Sequence, residues 1–297
     1  MSVWLPSAPC TPQACAAPAR SGTAVPRAVL RLLAFLTVLA TGIALIPVVA
    51  RCAPARRDRL VRRWCRMLVR AMGIRLRVTG TAVPDGGVLL VANHISWLDI
   101  PLLAAVRPAR MLAKTEIRAW PVAGALVALG GSLFIDRDRL RALPGTVATI
   151  ASALRRGAAV AAFPEGSTWC GRAQGPFRRA VFQAALDAGV PVQPVRLAYR
   201  TDGGVPSTAP AFVGEDSLGA SLWRVATARG LVADVEVRPV LAAGAVAHRR
   251  ELTAAAEMSV TGVRAPHPAP YRIPAPAARR PRLRPLRGPG RTPTAVH

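Results

Sequence analysis

The chain has 297 residues, a formal net charge of +25 and a sequence pI near 11.8. A charge of that size favours polyanionic partners, and nucleic acid and anionic membrane surfaces are the two candidates. Hydrophobic residues make up 52% of the chain, aromatic residues only 5%, and the mean hydropathy is +0.30. The sequence contains no aromatic-rich basic strand typical of an RNA-binding domain, so the composition favours the membrane.

The cysteines and histidines predict neither a disulfide framework nor a metal site. The five cysteines, Cys10, Cys15, Cys52, Cys65 and Cys170, show no paired CxxC spacing and are too sparse for a small secreted scaffold. The four histidines are scattered along the chain, so a zinc ligand set is not expected. We therefore expect five free thiols in a reducing compartment, no bound metal and no cofactor.

The N-terminal part of the chain predicts a leader followed by a membrane anchor. Residues 1–26 are rich in Ala, Pro and Ser without periodicity, so we expect a disordered leader. Residues 32–50 form a 19-residue run without charge, flanked by arginines, which is just long enough to cross a bilayer core. A membrane-anchoring helix is predicted over residues 27–50, and the pattern fits both a helix that spans the membrane and one that lies in it.

A cleaved signal peptide is the alternative interpretation of this run. The run is long for a signal sequence, and no convincing small-x-small cleavage site precedes the cationic segment that follows. Arginines are denser after the run than before it, so the positive-inside rule places the bulk of the chain on the cytoplasmic side of the cell membrane.

Residues 51–73 predict a basic amphipathic helix. Its arginines recur at helical spacing, and apolar side chains cover much of the remaining circumference. Such a helix suits an anionic headgroup surface, although an ordinary surface helix has the same pattern. Its position directly after the hydrophobic run favours the interfacial interpretation, with anionic membrane lipids as partners.

From residue 74 the pattern alternates between strands and helices. Strands are predicted over 75–79, 88–92, 110–113, 132–135, 159–163, 192–199 and 232–240, and helices over 98–106, 118–129, 138–155 and 177–188. Alternation of this kind predicts an α/β domain over residues 74–263, built on a mixed, largely parallel sheet flanked by helices. Residues 264–297 are rich in Pro and Arg and contain no acidic residue, so we expect a disordered basic tail.

One stretch after the strand at 88–92 has the residues of a catalytic dyad. If His94 lies on the turn after the strand and Asp99 in the first turn of the next helix, the carboxylate can reach the imidazole. A carboxylate that holds one ring nitrogen leaves the other free to act as a base. Ser96 is the predicted N-cap of that helix. The alternative is a chance histidine and an ordinary helix-capping aspartate.

Polar groups also follow the other predicted strands, where an α/β sheet binds its ligands. The strand ends lead into Lys114-Thr-Glu116, Asp136-Arg137 and Pro164-Glu165-Gly166-Ser167-Thr168. Arg137 has the fork geometry that suits a phosphate, and Lys114 can add a point charge. Arg137 could instead pair with a neighbouring aspartate, and Glu165 could be a structural partner of Lys114 or an arginine.

This order of motifs resembles the glycerolipid acyltransferase family, whose bacterial type member is the 1-acyl-sn-glycerol-3-phosphate acyltransferase. The resemblance covers about residues 75–200. The matching blocks are His-x-x-x-x-Asp at 94–99, Phe-Ile-Asp-Arg at 134–137, Phe-Pro-Glu-Gly at 163–166, a proline-bearing block at 192–195 and Lys-x-Glu at 114–116. One block alone is weak evidence, but the first four of these blocks, which occur in order at family-like spacing, are strong evidence.

The resemblance implies direct acyl transfer from acyl-CoA or acyl-carrier protein to the free hydroxyl of 1-acyl-sn-glycerol-3-phosphate, giving phosphatidic acid. It makes His94 the general base, oriented by Asp99. The residues implied to bind the substrate are Lys114, Arg137, Glu165, Gly166, Ser167, Thr168 and Pro194. Neither a metal ion nor a nucleic acid is implied.

One departure from the family pattern concerns the acceptor. Where the family has Thr-Arg after its Phe-Pro-Glu-Gly block, this chain has Ser167 and Thr168, so one cation is missing. Relatives that acylate lyso-ornithine lipid, which has no phosphate, carry a similar His-x-Ser-Trp-Leu-Asp block, and this lipid is the alternative acceptor. The alternative from another class is a basic membrane or nucleic-acid binding protein in which His94 is inert.

Overall fold

The computed structural model describes residues 8–18, 24–83, 85–115, 131–135, 140–242 and 248–262, with only the backbone of Lys114 and Leu140. The strands are β1 (Arg75–Thr79), β2 (Val88–Ala92), β3 (Arg110–Lys114), β4 (Leu133–Ile135), β5 (Ala159–Ala162), β6 (Val192–Thr201) and β7 (Leu231–Val237). The α-helices are α1 (Pro12–Cys15), α2 (Val25–Ala50), α3 (Pro54–Ala71), α4 (Asp99–Val106), α5 (Leu143–Arg155), α6 (Ala180–Ala188), α7 (Leu218–Thr227) and α8 (Arg249–Thr261). The predicted helix at 118–129 and the predicted tail lie outside the described residues.

The strands form one sheet in the order β1-β7-β6-β2-β5-β3-β4. Among the strand pairs that the structure describes, only β6–β7 is antiparallel, which confirms the predicted mixed, largely parallel sheet. The central strand β2 is buried along all five residues because its Val-Leu-Leu-Val-Ala sequence offers an apolar side chain to both faces. Since β2, β3, β4 and β5 run in parallel, their carboxyl ends meet at one edge of the sheet.

Helices cover both faces of the sheet, as the alternation of side chains along β2 requires. Leu90 belongs to a core that includes buried residues of α3, α4 and α7. Leu89 and Val91 belong to a second core that includes buried residues of α5, α6 and α8. The sheet is therefore held between two packed helical layers.

Part of the segment expected to be a disordered leader has a defined place in the structure. The Thr11 hydroxyl accepts a hydrogen bond from the Ala14 N–H at 3.3 Å, and Pro12 begins the short helix α1. The neighbouring Cys10 is only 6% exposed and belongs to the same core as Leu90. The buried Cys10 and the Thr11 helix cap therefore order this segment, although its sequence has no periodic pattern.

The helices α2 and α3 form a hairpin, in which α3 folds back along α2. The Trp64 indole N–H donates to the Val38 carbonyl at 2.9 Å, and a Cβ on Gly42 would come within 2.1 Å of that indole. Near the start of α2, Arg31 donates to the carbonyls of Ala226 and Ala228 at 2.9 and 2.6 Å. These contacts fix the hairpin to the end of α7.

The hairpin carries a large exposed apolar surface. Within the described residues, α2 is the one helix long and apolar enough to cross a membrane, and its most apolar window is not buried. Leu30, Leu33, Leu36, Leu45 and Val48 are each about half exposed or more. Exposed leucines in such density are typical of a surface that meets lipid, which is consistent with membrane association.

Candidate active site

The backbone of the turn that carries His94 is anchored to two other parts of the chain. The Asn93 amide donates to the Leu197 carbonyl at 2.9 Å and accepts from the Leu197 N–H at 2.8 Å, which ties the end of β2 to β6. The carbonyl of His94 accepts from the Trp169 N–H at 2.8 Å. The backbone of His94 is thus held by two other segments of the chain.

The imidazole of His94 lies against the carboxylate of Asp99. Nδ1 of His94 is 2.8 Å from Oδ2 of Asp99, whose side chain is fully buried, while the His94 side chain is 20% exposed. Asp99 is the first residue of α4, five residues after His94. An ionised carboxylate only accepts hydrogen bonds, so with Asp99 ionised and the imidazole neutral the ring proton lies on Nδ1 and Nε2 keeps its lone pair.

Three further donors surround the buried carboxylate of Asp99. Oδ2 accepts from the backbone N–H groups of Ile95 at 2.6 Å and Ser96 at 2.8 Å, and Oδ1 accepts from the Tyr199 hydroxyl at 2.6 Å. Burial, followed by the charge of Asp99, raises the pKa of Tyr199 well above its ordinary value, so the phenol stays protonated. Charge-assisted hydrogen bonds of this kind offset the loss of water around Asp99.

The prediction that Ser96 caps α4 is wrong. The residue before the helix is Leu98, and no side chain caps it. The Ser96 hydroxyl instead accepts from the Leu98 N–H at 3.3 Å inside the turn. The reason is that the carboxylate of Asp99 reaches back to the turn and takes its N–H groups, so the turn is organised around Asp99.

The ring of His94 is also held by an aromatic neighbour. It stacks on Phe163, with ring centroids 3.9 Å apart and planes inclined by 10°. Phe163 follows β5, the strand beside β2. The stacked ring and the hydrogen-bonded Nδ1 together restrict the imidazole to this orientation.

Glu165 supports the backbone of His94. Its side chain accepts from the His94 N–H at 2.7 Å and from the Gly175 N–H at 3.1 Å, and the residue is only 2% exposed. Burial raises the pKa of Glu165 to about 8, although these two N–H groups oppose the shift. From the sequence, Glu165 could have been a partner of Lys114 or an arginine, but the two contacts found here are with backbone groups.

The remaining predicted substrate-binding residues are placed differently. Gly166 turns the chain with φ of +79°, which favours glycine, and Ser167 has a buried hydroxyl without a hydrogen-bond partner among the described residues. Thr168 follows in the same loop, half-buried. Pro194 is buried within β6 opposite Val91, inside the sheet. Their binding roles remain predictions.

The predicted phosphate-binding cations have less structural detail. Lys114 ends β3, so its backbone lies at the same edge of the sheet as His94, and its side chain is not described. Arg137 lies outside the described residues, just after β4. The position of the Lys114 backbone is the part of this prediction that falls within the described residues, and the binding roles of both cations stay predictions.

Two contacts at this site were missed by the sequence analysis. Tyr199 is 100 residues from Asp99 in the chain, and only the pairing of β6 with β2 brings it there. Trp97, in the His94–Asp99 turn, packs edge-on against Phe35 of α2 with ring centroids 5.8 Å apart. This second contact joins the apolar hairpin directly to the turn of the dyad.

Comparisons with known proteins agree with this architecture. The family model described as Acyltransferase matches residues 75–198. The lyso-ornithine lipid O-acyltransferase of Pseudomonas aeruginosa is 41% identical over 209 residues, which cover 69% of this chain and 78% of the relative. The 1-acyl-sn-glycerol-3-phosphate acyltransferase of Neisseria meningitidis is 37% identical over 185 residues, covering 62% of this chain and 72% of the relative.

A solved structure shares the fold. The crystal structure of the 1-acyl-sn-glycerophosphate acyltransferase PlsC from Thermotoga maritima aligns with a TM-score of 0.60 over 80% of this chain and 95% of that chain. The two sequences are 19% identical in this alignment, so the match describes the fold alone.

Proposed function

The chain belongs to the glycerolipid acyltransferase family, and on that premise we propose that it transfers a fatty acyl group from acyl-CoA or acyl-carrier protein to a lysolipid hydroxyl, with His94 as general base. The observation that carries this proposal is the 2.8 Å contact between Nδ1 of His94 and the buried carboxylate of Asp99. It supplies a base whose free nitrogen is fixed in one direction.

That geometry supports direct acyl transfer, without an acyl-enzyme intermediate. Nε2 of His94 accepts the proton of the lysolipid hydroxyl while its oxygen attacks the thioester carbonyl. Asp99 stabilises the imidazolium that forms, as the carboxylate of a hydrolase triad does. Collapse of the tetrahedral intermediate breaks the carbon–sulfur bond, and the imidazolium returns its proton to the departing thiolate. The acceptor hydroxyl is itself the nucleophile.

The acceptor predicted from the sequence is 1-acyl-sn-glycerol-3-phosphate, with Arg137 and Lys114 as the cations for its phosphate. A specific observation favours lyso-ornithine lipid as the second candidate. Thr168 stands where the family pattern has an arginine, and a phosphate-free acceptor does not need that cation. The Pseudomonas aeruginosa relative is named for this second reaction.

An acceptor panel with a radiolabelled acyl donor tests both candidates. We expect acylation of 1-acyl-sn-glycerol-3-phosphate, of lyso-ornithine lipid or of both, and no transfer to either would contradict the proposal. Thr168→Arg restores the family cation, so it should raise the preference for the phosphate-bearing acceptor by about tenfold. Thr149→Arg, which adds the same charge on the exposed side of α5, should leave the preference unchanged.

The proposed location is the cell membrane, with the catalytic part on the cytoplasmic side. The contact between Phe35 and Trp97 supports a lipid substrate, because it brings the apolar hairpin against the turn of the dyad. The denser arginines after the apolar run support the cytoplasmic side. Cytoplasmic acyl donors are then on the same side as His94.

A further inference from the structure

Three cysteines that are far apart in the sequence meet next to the candidate active site. The sulfur atoms of Cys10, Cys15 and Cys170 all lie within 4.8 Å of one another. Cys10 and Cys170 are buried, with 6% and 4% exposure, and Cys15 is partly exposed. The sequence predicts independent thiols here, because the spacing of the cysteines follows no metal-binding motif.

The chain builds this cluster from two ordered segments. Helix α1 with its Thr11 cap brings Cys15 back towards Cys10. Cys170 lies four residues after Gly166, and the following Gly171 has a φ of +84°, a turn that packs close to Ile95. The backbone that carries all three thiols is therefore ordered, so their proximity is a consequence of the fold.

Two backbone N–H groups donate to the sulfur of Cys170. They belong to Arg172 and Ala173, and the Cys10 thiol also hydrogen-bonds to this sulfur. Backbone N–H groups that donate to a sulfur are also the outer contacts that a metal-bound thiolate needs.

We propose that Cys10, Cys15 and Cys170 form a three-thiolate site for Zn²⁺. Zinc prefers thiolate ligands at about 2.3 Å in tetrahedral geometry, which sets neighbouring sulfurs about 3.8 Å apart. Sulfurs within 4.8 Å of one another reach that spacing with small side-chain rotations. The partly exposed side of Cys15 leaves the fourth position to water, and binding releases the thiol protons to solvent.

A disulfide explains the cluster less well than a metal ion. A disulfide joins two sulfurs and leaves the third without a role, whereas a metal ion uses all three. Three thiolates and one Zn²⁺ carry a net charge of −1, which suits a chain with a net charge of +25. The ion would join the N-terminal segment to the loop whose Trp169 N–H donates to the His94 carbonyl. Its role is structural and independent of the acyl-transfer reaction.

Metal binding by the full chain tests the proposal. The protein is purified in detergent under reducing conditions, stripped with a chelator and titrated with Zn²⁺ alone. We expect one tightly bound Zn²⁺ per chain and a higher thermal midpoint with the ion bound. Co²⁺ in place of Zn²⁺ should give a sulfur-to-metal charge-transfer band, which reports thiolate ligands directly.

Matched cysteine variants locate the ion. Cys10→Ser and Cys170→Ser should lose the tightly bound Zn²⁺ and the Co²⁺ band, whereas Cys52→Ser, at the exposed turn between α2 and α3, should keep both. A wild-type chain that binds no Zn²⁺ would overturn the proposal, and this result needs no variant to fold. Zinc retained by the triple variant of the three cysteines, or a disulfide between two of them in place of zinc, would overturn it as well.

Discussion

His94 is oriented by residues from several parts of the chain. Asp99 holds Nδ1, Phe163 stacks on the ring and Glu165 accepts from the backbone N–H. The sequence could predict the His94–Asp99 pair, because both residues lie within one short motif. It could not predict Tyr199 or the role of Glu165 in holding His94, because those contacts depend on how distant strands pair.

Tyr199 is expected to act as a positioning residue for Asp99. In Tyr199→Phe, Oδ1 of the buried carboxylate loses its 2.6 Å hydrogen bond, which should cost about 1–3 kcal/mol of stability. We expect kcat to fall by about tenfold with KM unchanged, because Asp99 then orients the imidazole less well. Steady-state kinetics and thermal unfolding measure the two effects.

Ser221→Ala is the matched control for that loss of a buried hydroxyl. Ser221 is fully buried, and its hydroxyl accepts a hydrogen bond from the Trp97 indole N–H at 3.2 Å. This hydrogen bond does not involve Asp99. It should lose stability but keep its kcat. If Tyr199→Phe also kept its kcat, the phenol would have a structural role alone.

The raised pKa of Glu165 makes a prediction about stability and pH. Its pKa is about 8 in the folded chain, against an ordinary value of 4.5, so the folded state binds more protons than the unfolded state between these two values. The free energy of unfolding should therefore fall as pH rises from 5 to 8, by at most about 1.4 kcal/mol per pH unit from this group.

Glu165→Gln removes the titrating group and should therefore remove that slope. The variant should also be less stable at every pH, because the glutamine amide has one acceptor oxygen for the N–H groups of His94 and Gly175 in place of two. Denaturant unfolding at several pH values between 5 and 8 measures the slope. Glu251→Gln, at an exposed position of α8, should keep the wild-type slope. Parallel profiles for wild type and Glu165→Gln would contradict the prediction.

At the scale of elements, the strands followed from the sequence more closely than the helices. Each described strand lies within three residues of its predicted bounds, because short apolar runs bounded by turns are distinctive. Helices α7 and α8 were not predicted. The buried face of α8 has only three apolar residues, Leu252, Ala256 and Val260, and also includes the polar Thr253 and Glu257. The helix therefore has a weak apolar pattern and depends on packing against its core.

The hairpin of α2 and α3 bears on how the chain meets the membrane. Because α3 folds back along α2, its arginines lie beside the apolar helix. A transmembrane α2 would draw these arginines into hydrocarbon, which costs several kcal/mol for each charge. The hairpin therefore favours insertion into one face of the bilayer, with the arginines at the headgroups.

Cys52, at the turn of the hairpin, reports that topology. In intact bacterial cells a membrane-impermeant maleimide added from outside should not react with Cys52. If the hairpin inserts only into the cytoplasmic leaflet, its turn does not reach the outer surface of the membrane. Labelling is compared between wild type and Cys52→Ser. A periplasmic protein with a free thiol serves as the positive control, because its labelling shows that the reagent reaches the periplasm. Labelling that disappears in Cys52→Ser would show that α2 crosses the membrane.

At the scale of the whole molecule, composition predicted the setting but not the contacts. The charge of +25 and the apolar run indicate a membrane surface, and the order of motifs indicates the reaction. The contact of Phe35 with Trp97 and the meeting of Cys10 with Cys170 arise only when distant segments pack. No periodicity or spacing in the sequence encodes them, so they could not be read from it.

The central claim is that His94 is the base of an acyl transfer to a lysolipid. The most direct measurement is acyl transfer from a labelled acyl thioester by the purified full chain carrying His94→Ala. The account predicts that kcat falls by about a thousandfold while membrane binding is kept. The thermal midpoint should fall moderately, because the buried Asp99 loses its hydrogen bond from the imidazole, but unfolding should stay cooperative. His248→Ala, which removes an exposed histidine before α8, should keep wild-type activity. Transfer by His94→Ala at the wild-type rate would contradict the account.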